Sequence, residues 1–245
     1  MALRSIIFDL GGTLIEYHTP HNWERPGLEA FRHYLAAQGY AAPSTEDLLA
    51  IHLREVAAFH TRLNTDPHAN LRQDEILRAT LADAHVSLPA ASWETARERY
   101  YQASYTNGKT CIDGALETLS ALHAQGFRLA ALSNTAWPRH RLDVLLDQLG
   151  LLRYLPVRFY SCDEAAWKPW PTIFKRTLDA LGLAPEEAVY VGDYYEYDVQ
   201  GAQGVGMRAV WLRQPGRSPI PGVTPDASIN TLPELLTVID QWRHE

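Results

Sequence analysis

The chain has 245 residues and a formal charge of −7, with 46% apolar and 21% charged residues, which is typical of a globular protein of one or two domains. The negative charge argues against nucleic-acid binding, because a phosphate backbone requires a basic surface. Its apolar runs are too short for a membrane span or a signal peptide, and its two cysteines are isolated in sequence. We therefore expect a cytoplasmic protein with no nucleic-acid and no membrane partner.

Five short apolar runs predict the strands of a parallel sheet, because strands that are covered on both faces lack apolar–polar alternation. They are residues 6–8, 127–133, 157–161, 188–192 and 207–212. Amphipathic helical patterns separate the later runs, and a glycine follows each of these patterns. Residues 227–230 and 232–242 add a predicted edge strand and a closing helix. Strand followed by helix, repeated in this way, predicts an α/β fold with a doubly wound parallel sheet.

The segment between the first two strands is different, because it carries four helical patterns and no convincing strand. Pro26 and Gly39 bracket the first pattern, and Ser44 begins the second with a capping motif. The third and fourth cover residues 70–85 and 89–105. We predict an all-α insert at residues 16–110, joined by hinges to an α/β core made of residues 1–15 and 111–245.

Chemically useful residues follow the predicted strands. In an open α/β sheet, ligands bind outside the carboxyl ends of the strands. The positions just beyond the strands hold a carboxylate, a hydroxyl with an amide, and an acidic pair, and a cation follows the third strand a few residues later. In chain order these are Asp9, Ser133 with Asn134, Lys168, and Asp193 with Asp198.

These segments resemble the motifs of the haloacid dehalogenase (HAD) superfamily of hydrolases. The matching residues are 8–14 (Phe-Asp-Leu-Gly-Gly-Thr-Leu), 132–135 (Leu-Ser-Asn-Thr), 168–171 (Lys-Pro-Trp-Pro) and 191–199, which begins Val-Gly-Asp. The resemblance covers almost the whole core. The insert matches in position and helical character, like the helical cap that some members carry between their first and second motifs.

The resemblance implies a Mg²⁺-dependent hydrolase of a small phosphorylated metabolite, with Asp9 as a nucleophile that forms an aspartyl-phosphate. The metal ligands would be the carboxylates of Asp9 and Asp193 and the backbone carbonyl of Gly11, with Asp198 acting indirectly or through water. Lys168 would supply a fixed positive charge beside the nucleophile.

The same resemblance implies a set of groups that bind the transferring phosphoryl group. These are the hydroxyl of Ser133 and the backbone amides around Gly12, Thr13 and Asn134.

One departure from the family pattern concerns Gly11, because phosphatases of the family usually carry a second aspartate there as general acid and base. Its loss corresponds to about 10²–10⁴ in rate. Three explanations remain open: a substrate with a good leaving group, a proton supplied by Glu16, His18 or His21, or a protein that binds a phosphorylated ligand with little turnover.

Two sibling chemistries are less compatible with the sequence. The phosphonate-cleaving branch needs a cap lysine, and no lysine lies between Ile15 and Asn107. Haloacid dehalogenases also lack the second aspartate and need no metal. Here, however, Asp193 and Asp198 form an acidic pair suited to a metal ion, so dehalogenation is the more distant alternative.

Overall fold

A six-stranded parallel sheet forms the centre of the molecule. The computed structural model describes residues 3–17, 24–66, 69–105 and 109–243. The strand order is β5-β4-β1-β6-β7-β8, and every neighbouring pair is parallel. The strands of the sheet are β1 (Ser5–Phe8), β4 (Arg128–Ser133), β5 (Val157–Tyr160), β6 (Ala188–Gly192), β7 (Arg208–Leu212) and β8 (Ala227–Ile229).

Helices cover both faces of this sheet and connect its strands. They are α5 (Ala115–Ala124), α6 (Arg139–Gln148), α7 (Ser161–Glu164), α8 (Pro171–Leu181), α9 (Gly201–Gln203) and α10 (Glu234–Arg243). A π-helical turn at Tyr195–Gln200 follows β6. The predicted α/β fold with a doubly wound parallel sheet is confirmed, and the helical patterns end at glycines as expected.

Strand β1 shows why the strands of this sheet have uninterrupted apolar sequences. Ile6 and Phe8 pack into one cluster with side chains of α5, α6 and α10, whereas Ile7 packs into a second cluster with α8. All three side chains are fully buried. Because successive side chains of a strand point to opposite faces, a strand covered on both faces must be apolar at every position.

Among the described residues, the predicted insert at 16–110 contains four helices. They are α1 (Glu24–Ala37), α2 (Thr45–Thr65), α3 (Gln73–Asp83) and α4 (Ala90–Tyr105). The Ser44 side chain caps α2 by accepting a hydrogen bond from the Asp47 amide, as its sequence predicts. Their apolar side chains join the cluster on the α5 face of the sheet, so insert and core share buried surface.

A two-stranded antiparallel ribbon connects the insert to the core, and the sequence did not predict it. It pairs β2 (Ile15–Tyr17) with β3 (Lys109–Cys111) at the two expected joints. Strands of three residues are too short to show a period. Residue 161, expected to end a strand, instead begins α7. No helix in the described ranges is both long and apolar enough to cross a bilayer.

Candidate functional site

The predicted site residues converge at the carboxyl edge of three adjacent strands. Asp9 follows β1 directly, Ser133 ends β4 on one side of β1, and Asp193 follows β6 on the other side. Asp198 comes from the π-helical turn, and Lys168 comes from the segment between α7 and α8. All five side chains are buried. The parallel strand order thus brings together residues that are far apart in sequence.

Lys168 is the centre of a buried hydrogen-bond network. Its ammonium donates to Oδ1 of Asp9 at 2.9 Å, to Oδ1 of Asp198 at 2.6 Å and to the hydroxyl of Tyr190 at 2.8 Å. The Tyr190 hydroxyl in turn donates to the carbonyl of Leu132 at 2.7 Å. All three donors of the ammonium are therefore satisfied, as a buried charge requires. Burial opposes the charge, but Asp198 and Asp9 outweigh it and raise the pKa of Lys168.

Asn134 holds the backbone of Lys168 with both ends of its side-chain amide. Its Nδ2 donates to the Lys168 carbonyl at 3.0 Å, and its Oδ1 accepts from the Lys168 amide at 2.8 Å. The sequence interpretation assigned Asn134 to phosphate binding through its backbone. The structure shows a second function for this residue, which is to fix the position of the lysine.

Asp193 is fully buried and only partly hydrogen-bonded. Its Oδ2 accepts from Nε of Arg217 at 2.7 Å, and its backbone carbonyl accepts from the indole of Trp211 at 2.9 Å. Its Oδ1 is buried and has no hydrogen-bond partner among the described residues. Burial, and after it the charges of Asp9 and Asp198, raise the pKa of Asp193 to about 7. Burial and the two neighbouring carboxylates therefore outweigh the contact with Arg217, which lowers the pKa of Asp193.

The three aspartates fit a divalent cation. Asp9, Asp193 and Asp198 each offer a carboxylate oxygen, and these oxygens lie within 4.8 Å of one another. Burial, together with the charge of Asp9 and against the attraction of Lys168, raises the pKa of Asp198 to about 6. Oxygen ligands of this kind suit Mg²⁺, and the unpartnered Oδ1 of Asp193 is available as one of them. Asp198 is also engaged by Lys168 and by the Tyr194 amide.

The turn after Asp9 uses two of the amides that were predicted to bind phosphate. The N–H of Gly12 donates to the Ile15 carbonyl at 2.9 Å, and the N–H of Thr13 donates to the Leu10 carbonyl at 3.2 Å. The Thr13 hydroxyl is buried and has no partner among the described residues. In this structure the amides of Gly12 and Thr13 therefore stabilise the turn. That these amides donate hydrogen bonds to a phosphoryl group stays a prediction.

Gly12 has a separate structural requirement. Its φ of +77° lies in the left-handed region, and a Cβ there would lie 2.6 Å from Oδ2 of Asp193. The absence of a side chain therefore lets the Asp193 carboxylate approach the backbone next to Asp9.

The structure describes one of the three candidate proton donors. Glu16 lies in the ribbon strand β2, opposite Thr110, with an exposed side chain. His18 and His21 lie outside the described residues. Gly11, at the position of the missing aspartate, is partly exposed between Asp9 and Gly12. A proton supplied by any of the three candidates therefore stays a prediction.

The helical insert contacts the loops that carry Lys168 and Asp198. The indole of Trp170 donates to the Leu63 carbonyl at 3.3 Å, and the Tyr197 hydroxyl donates to Oδ1 of Asn64 at 3.4 Å. Leu63 also packs against Trp167 in a small apolar cluster. The end of α2 therefore lies against the carboxyl edge of the sheet, next to the site.

Sequence reasoning missed two residues of the site, Tyr190 and Arg217. Arg217 belongs to a Pro/Gly-rich loop that follows β7, and nothing in the pattern of that loop indicates which residue its arginine contacts. The Pro215-Gly216 pair indicates a turn, but the sequence does not indicate which residues that turn contacts.

Comparison with known proteins agrees with this arrangement. The profile of the haloacid dehalogenase-like hydrolases matches residues 3–206. A phosphoglycolate phosphatase of Pectobacterium atrosepticum is 31% identical over 214 residues, which cover 86% of this chain and 80% of the relative. A glyceraldehyde 3-phosphate phosphatase of Methanopyrus kandleri is 30% identical over 216 residues, covering 86% and 84%.

Similarity to solved structures extends over nearly the full chain. A 2-haloacid dehalogenase of Pseudomonas syringae pv. tomato has a TM-score of 0.74 and 26% identity, covering 98% of this chain and 99% of the other. A HAD phosphatase of Thermococcus onnurineus has a TM-score of 0.66 and 26% identity, covering 97% and 98%. The family match, the parallel sheet and the motif residues gathered at its edge show that the chain belongs to the haloacid dehalogenase-like hydrolases.

Proposed function

We propose that this hydrolase removes a phosphoryl group from a small phosphorylated metabolite, with Asp9 as nucleophile and Mg²⁺ as cofactor. The observation that carries the proposal is the buried cluster of Asp9, Asp193 and Asp198, in which one oxygen of Asp193 has no partner among the described residues. A buried, unpaired carboxylate oxygen is costly unless a cation binds it. The curated relatives named as phosphatases support the same reaction class.

In this mechanism Lys168 orients the nucleophile. Its ammonium holds Oδ1 of Asp9, and we assign the attack on phosphorus to the other oxygen, Oδ2. A bond forms between this oxygen and phosphorus while the bond from phosphorus to the leaving oxygen breaks. Mg²⁺, when bound, offsets the repulsion between the carboxylate and the anionic phosphate. Water then attacks the phosphorus of the aspartyl-phosphate, which releases inorganic phosphate and restores the Asp9 carboxylate.

Gly11 limits the choice of substrate. The leaving oxygen takes up a proton or departs as a stable anion, and Gly11 has no proton to donate. We therefore propose a preference for acyl phosphates, aryl phosphates or anhydrides, whose leaving groups need little protonation. Ser133, at the end of β4, supplies a hydroxyl to the phosphoryl group.

Phosphate release from alkyl, aryl and acyl phosphates and nucleotides, measured with Mg²⁺ and with EDTA, tests the proposal. The Asp9→Asn variant is expected to lose release from every substrate. The Asp179→Asn variant is the matched control, because Asp179 is exposed on α8. Saturable binding without phosphate release, in the presence of Mg²⁺, would instead support a phospholigand-binding protein.

Dehalogenation is the second candidate, and the similarity to the Pseudomonas syringae dehalogenase is the observation that favours it. In that reaction a carboxylate oxygen of Asp9 would displace halide from carbon, and water would hydrolyse the resulting ester. Halide release from 2-haloalkanoates in EDTA, lost in Asp9→Asn, would establish it. We expect none, because this reaction gives no role to the unpartnered oxygen of Asp193.

A further inference from the structure

A tight turn at residues 214–217 lies against the site. It belongs to the α/β core and not to the helical insert. The Arg217 amide donates to the Gln214 carbonyl at 3.1 Å, and Gly216 has a φ of +79°. Pro215 followed by a glycine with positive φ is the arrangement of a type II turn. The turn therefore has a defined backbone that fixes where the side chains of its first and last residues begin.

Both ends of this turn contact the catalytic edge of the sheet. Nε2 of Gln214 donates to the Gly12 carbonyl at 3.0 Å, in the turn that follows Asp9. Nε of Arg217 donates to Oδ2 of Asp193 at 2.7 Å. The Arg217 guanidinium also lies over the ring of Tyr194, 3.3 Å from its centroid. The loop is thus attached to two of the segments that carry the aspartates.

The contact with Arg217 distinguishes the two oxygens of Asp193. Oδ2 is occupied by the arginine and faces the Cα of Gly12, where a Cβ could not fit. Oδ1 is buried and unpartnered among the described residues. A carboxylate fixed through one oxygen presents the other in a defined direction, and groups that orient metal ligands in this way contribute strongly to metal affinity.

We propose that Arg217 is a positioning residue for the metal site: by holding Oδ2 of Asp193, it presents Oδ1 to the divalent cation. This inference rests on the proposed metal site and extends it to a loop that carries none of the family motifs found in the sequence. Gln214 anchors the same turn to the segment beside Asp9, so the loop sets the distance between the two ligand-bearing segments.

Charge alone predicts the opposite effect, which makes the inference testable. A guanidinium beside a cation site repels the cation, so removing its charge would tighten metal binding if repulsion were its main contribution. If Arg217 mainly orients Asp193, removing it weakens metal binding although the site becomes more negative. The sign of the change in metal affinity therefore distinguishes charge repulsion by Arg217 from orientation of Asp193 by Arg217.

The experiment measures the affinity of the purified, metal-free chain for Mn²⁺ and Mg²⁺ by calorimetry, without substrate. Arg217→Gln is expected to bind both ions about 10–100-fold more weakly than the wild type. Arg217→Lys, which keeps the charge and a donor, is expected to recover part of this loss. Arg213→Gln is the matched control, because Arg213 lies in the same loop with an exposed side chain, and its affinity is expected to stay unchanged.

Each other outcome overturns a stated part of the inference. Equal or tighter binding in Arg217→Gln would show that repulsion dominates and would overturn the positioning role while leaving the metal site intact. If Arg217→Lys recovers none of the lost metal affinity, the loss would be assigned to disruption of the turn. That result would overturn the positioning role of Arg217 as well. Absence of metal binding in the wild type would overturn both this inference and the proposed cofactor.

Discussion

The ammonium of Lys168 donates a 2.9 Å hydrogen bond to the carboxylate of Asp9, across 159 positions of sequence. The same ammonium contacts Asp198 and Tyr190, and all of these side chains are buried. A buried ion pair adds little net stability over apolar packing, but removing one partner leaves the remaining charge uncompensated. A change at Lys168 is therefore expected to affect both the stability of the fold and the proposed reaction at Asp9.

The first prediction concerns Lys168→Met, which we expect to lower the free energy of unfolding by about 3–5 kcal/mol in the absence of metal. The reason is that Asp9 and Asp198 would remain buried without their cation. Phosphate release is expected to fall about 10²–10³-fold, because the group that orients the Asp9 nucleophile is lost. Urea unfolding and phosphate release measure the two effects. Lys175→Met, an exposed change on α8, is the control. Unchanged stability would show that the network is not formed in solution.

The second prediction concerns Gly11→Asp, which restores a carboxyl group at the position of the missing acid. We expect this variant to accelerate release from alkyl phosphates about 10²-fold, because their alkoxides need a proton. Release from aryl and acyl phosphates should change little, since those groups leave as stable anions. Comparing kcat for the two classes is the measurement. An equal effect on both classes would show that leaving-group protonation is not what Gly11 limits.

The third prediction concerns Asn134→Ala, which removes both side-chain bonds to the backbone of Lys168. We expect kcat to fall about 10–100-fold, as for other residues that act by orienting a catalytic group. The KM is expected to change less, because the substrate itself loses no side-chain contact. Steady-state kinetics separate the two constants. A loss confined to KM would instead assign the Asn134 side chain to substrate binding.

The sequence predicted the sheet and the meeting of the candidate site residues at its carboxyl edge, because both depend on local signals. Buried strands such as β1 must be apolar at each position, and ligand groups in parallel sheets follow the strand ends. The order of residues alone therefore predicted one common site for the four motif segments, which carry Asp9, Ser133 with Asn134, Lys168, and Asp193 with Asp198.

Other features depend on the path of the chain in space, and the sequence did not reveal them. Arg217 lies in a loop whose turn type is legible but whose target is set by the packing of β7 against β6. The bonds from Asn134 to Lys168 require knowledge that the two loops are adjacent. The boundaries of the insert at residues 16–110 stay a prediction, although the four helices lie within them.

The fourth prediction concerns the pH dependence of metal binding. The folded protein raises the pKa of Asp193 to about 7 and that of Asp198 to about 6. Below these values the carboxyls carry protons that a cation must displace, so affinity is expected to fall about tenfold per pH unit for each proton displaced. We expect Mn²⁺ affinity to rise from about pH 5.5 to about pH 7.5 and then to level off. Calorimetry in the absence of substrate measures it.

The same raised pKa values have a consequence for stability. An acid whose pKa is higher in the folded state destabilises that state when it ionises, so the metal-free protein loses stability as the pH rises from about 4 through 7. Mg²⁺ is therefore expected to raise the melting temperature more at about pH 8 than at about pH 6. A metal-induced shift that is equal at both pH values would contradict this linkage.

The fifth prediction concerns His52, which is fully buried within the helical insert. Its Nδ1 lies 3.0 Å from the Thr80 hydroxyl, and its Nε2 lies 3.3 Å from the Gln73 amide. Burial lowers its pKa from 6.5 to about 4. Between these values the unfolded chain binds a proton that the folded chain does not, so stability is lost as the pH falls from about 6.5 to about 4.

We expect acidification from about pH 7 to about pH 4 to reduce the free energy of unfolding of the wild type by roughly 3 kcal/mol more than that of His52→Gln, because 1 pKa unit corresponds to about 1.4 kcal/mol. Both proteins share every other titratable group, so the difference isolates His52. Urea unfolding at the two pH values measures it, with the exposed His33→Gln as control. If wild type and His52→Gln lose stability in parallel, His52 takes up its proton in the folded insert, and the burial that lowers its pKa does not persist in solution.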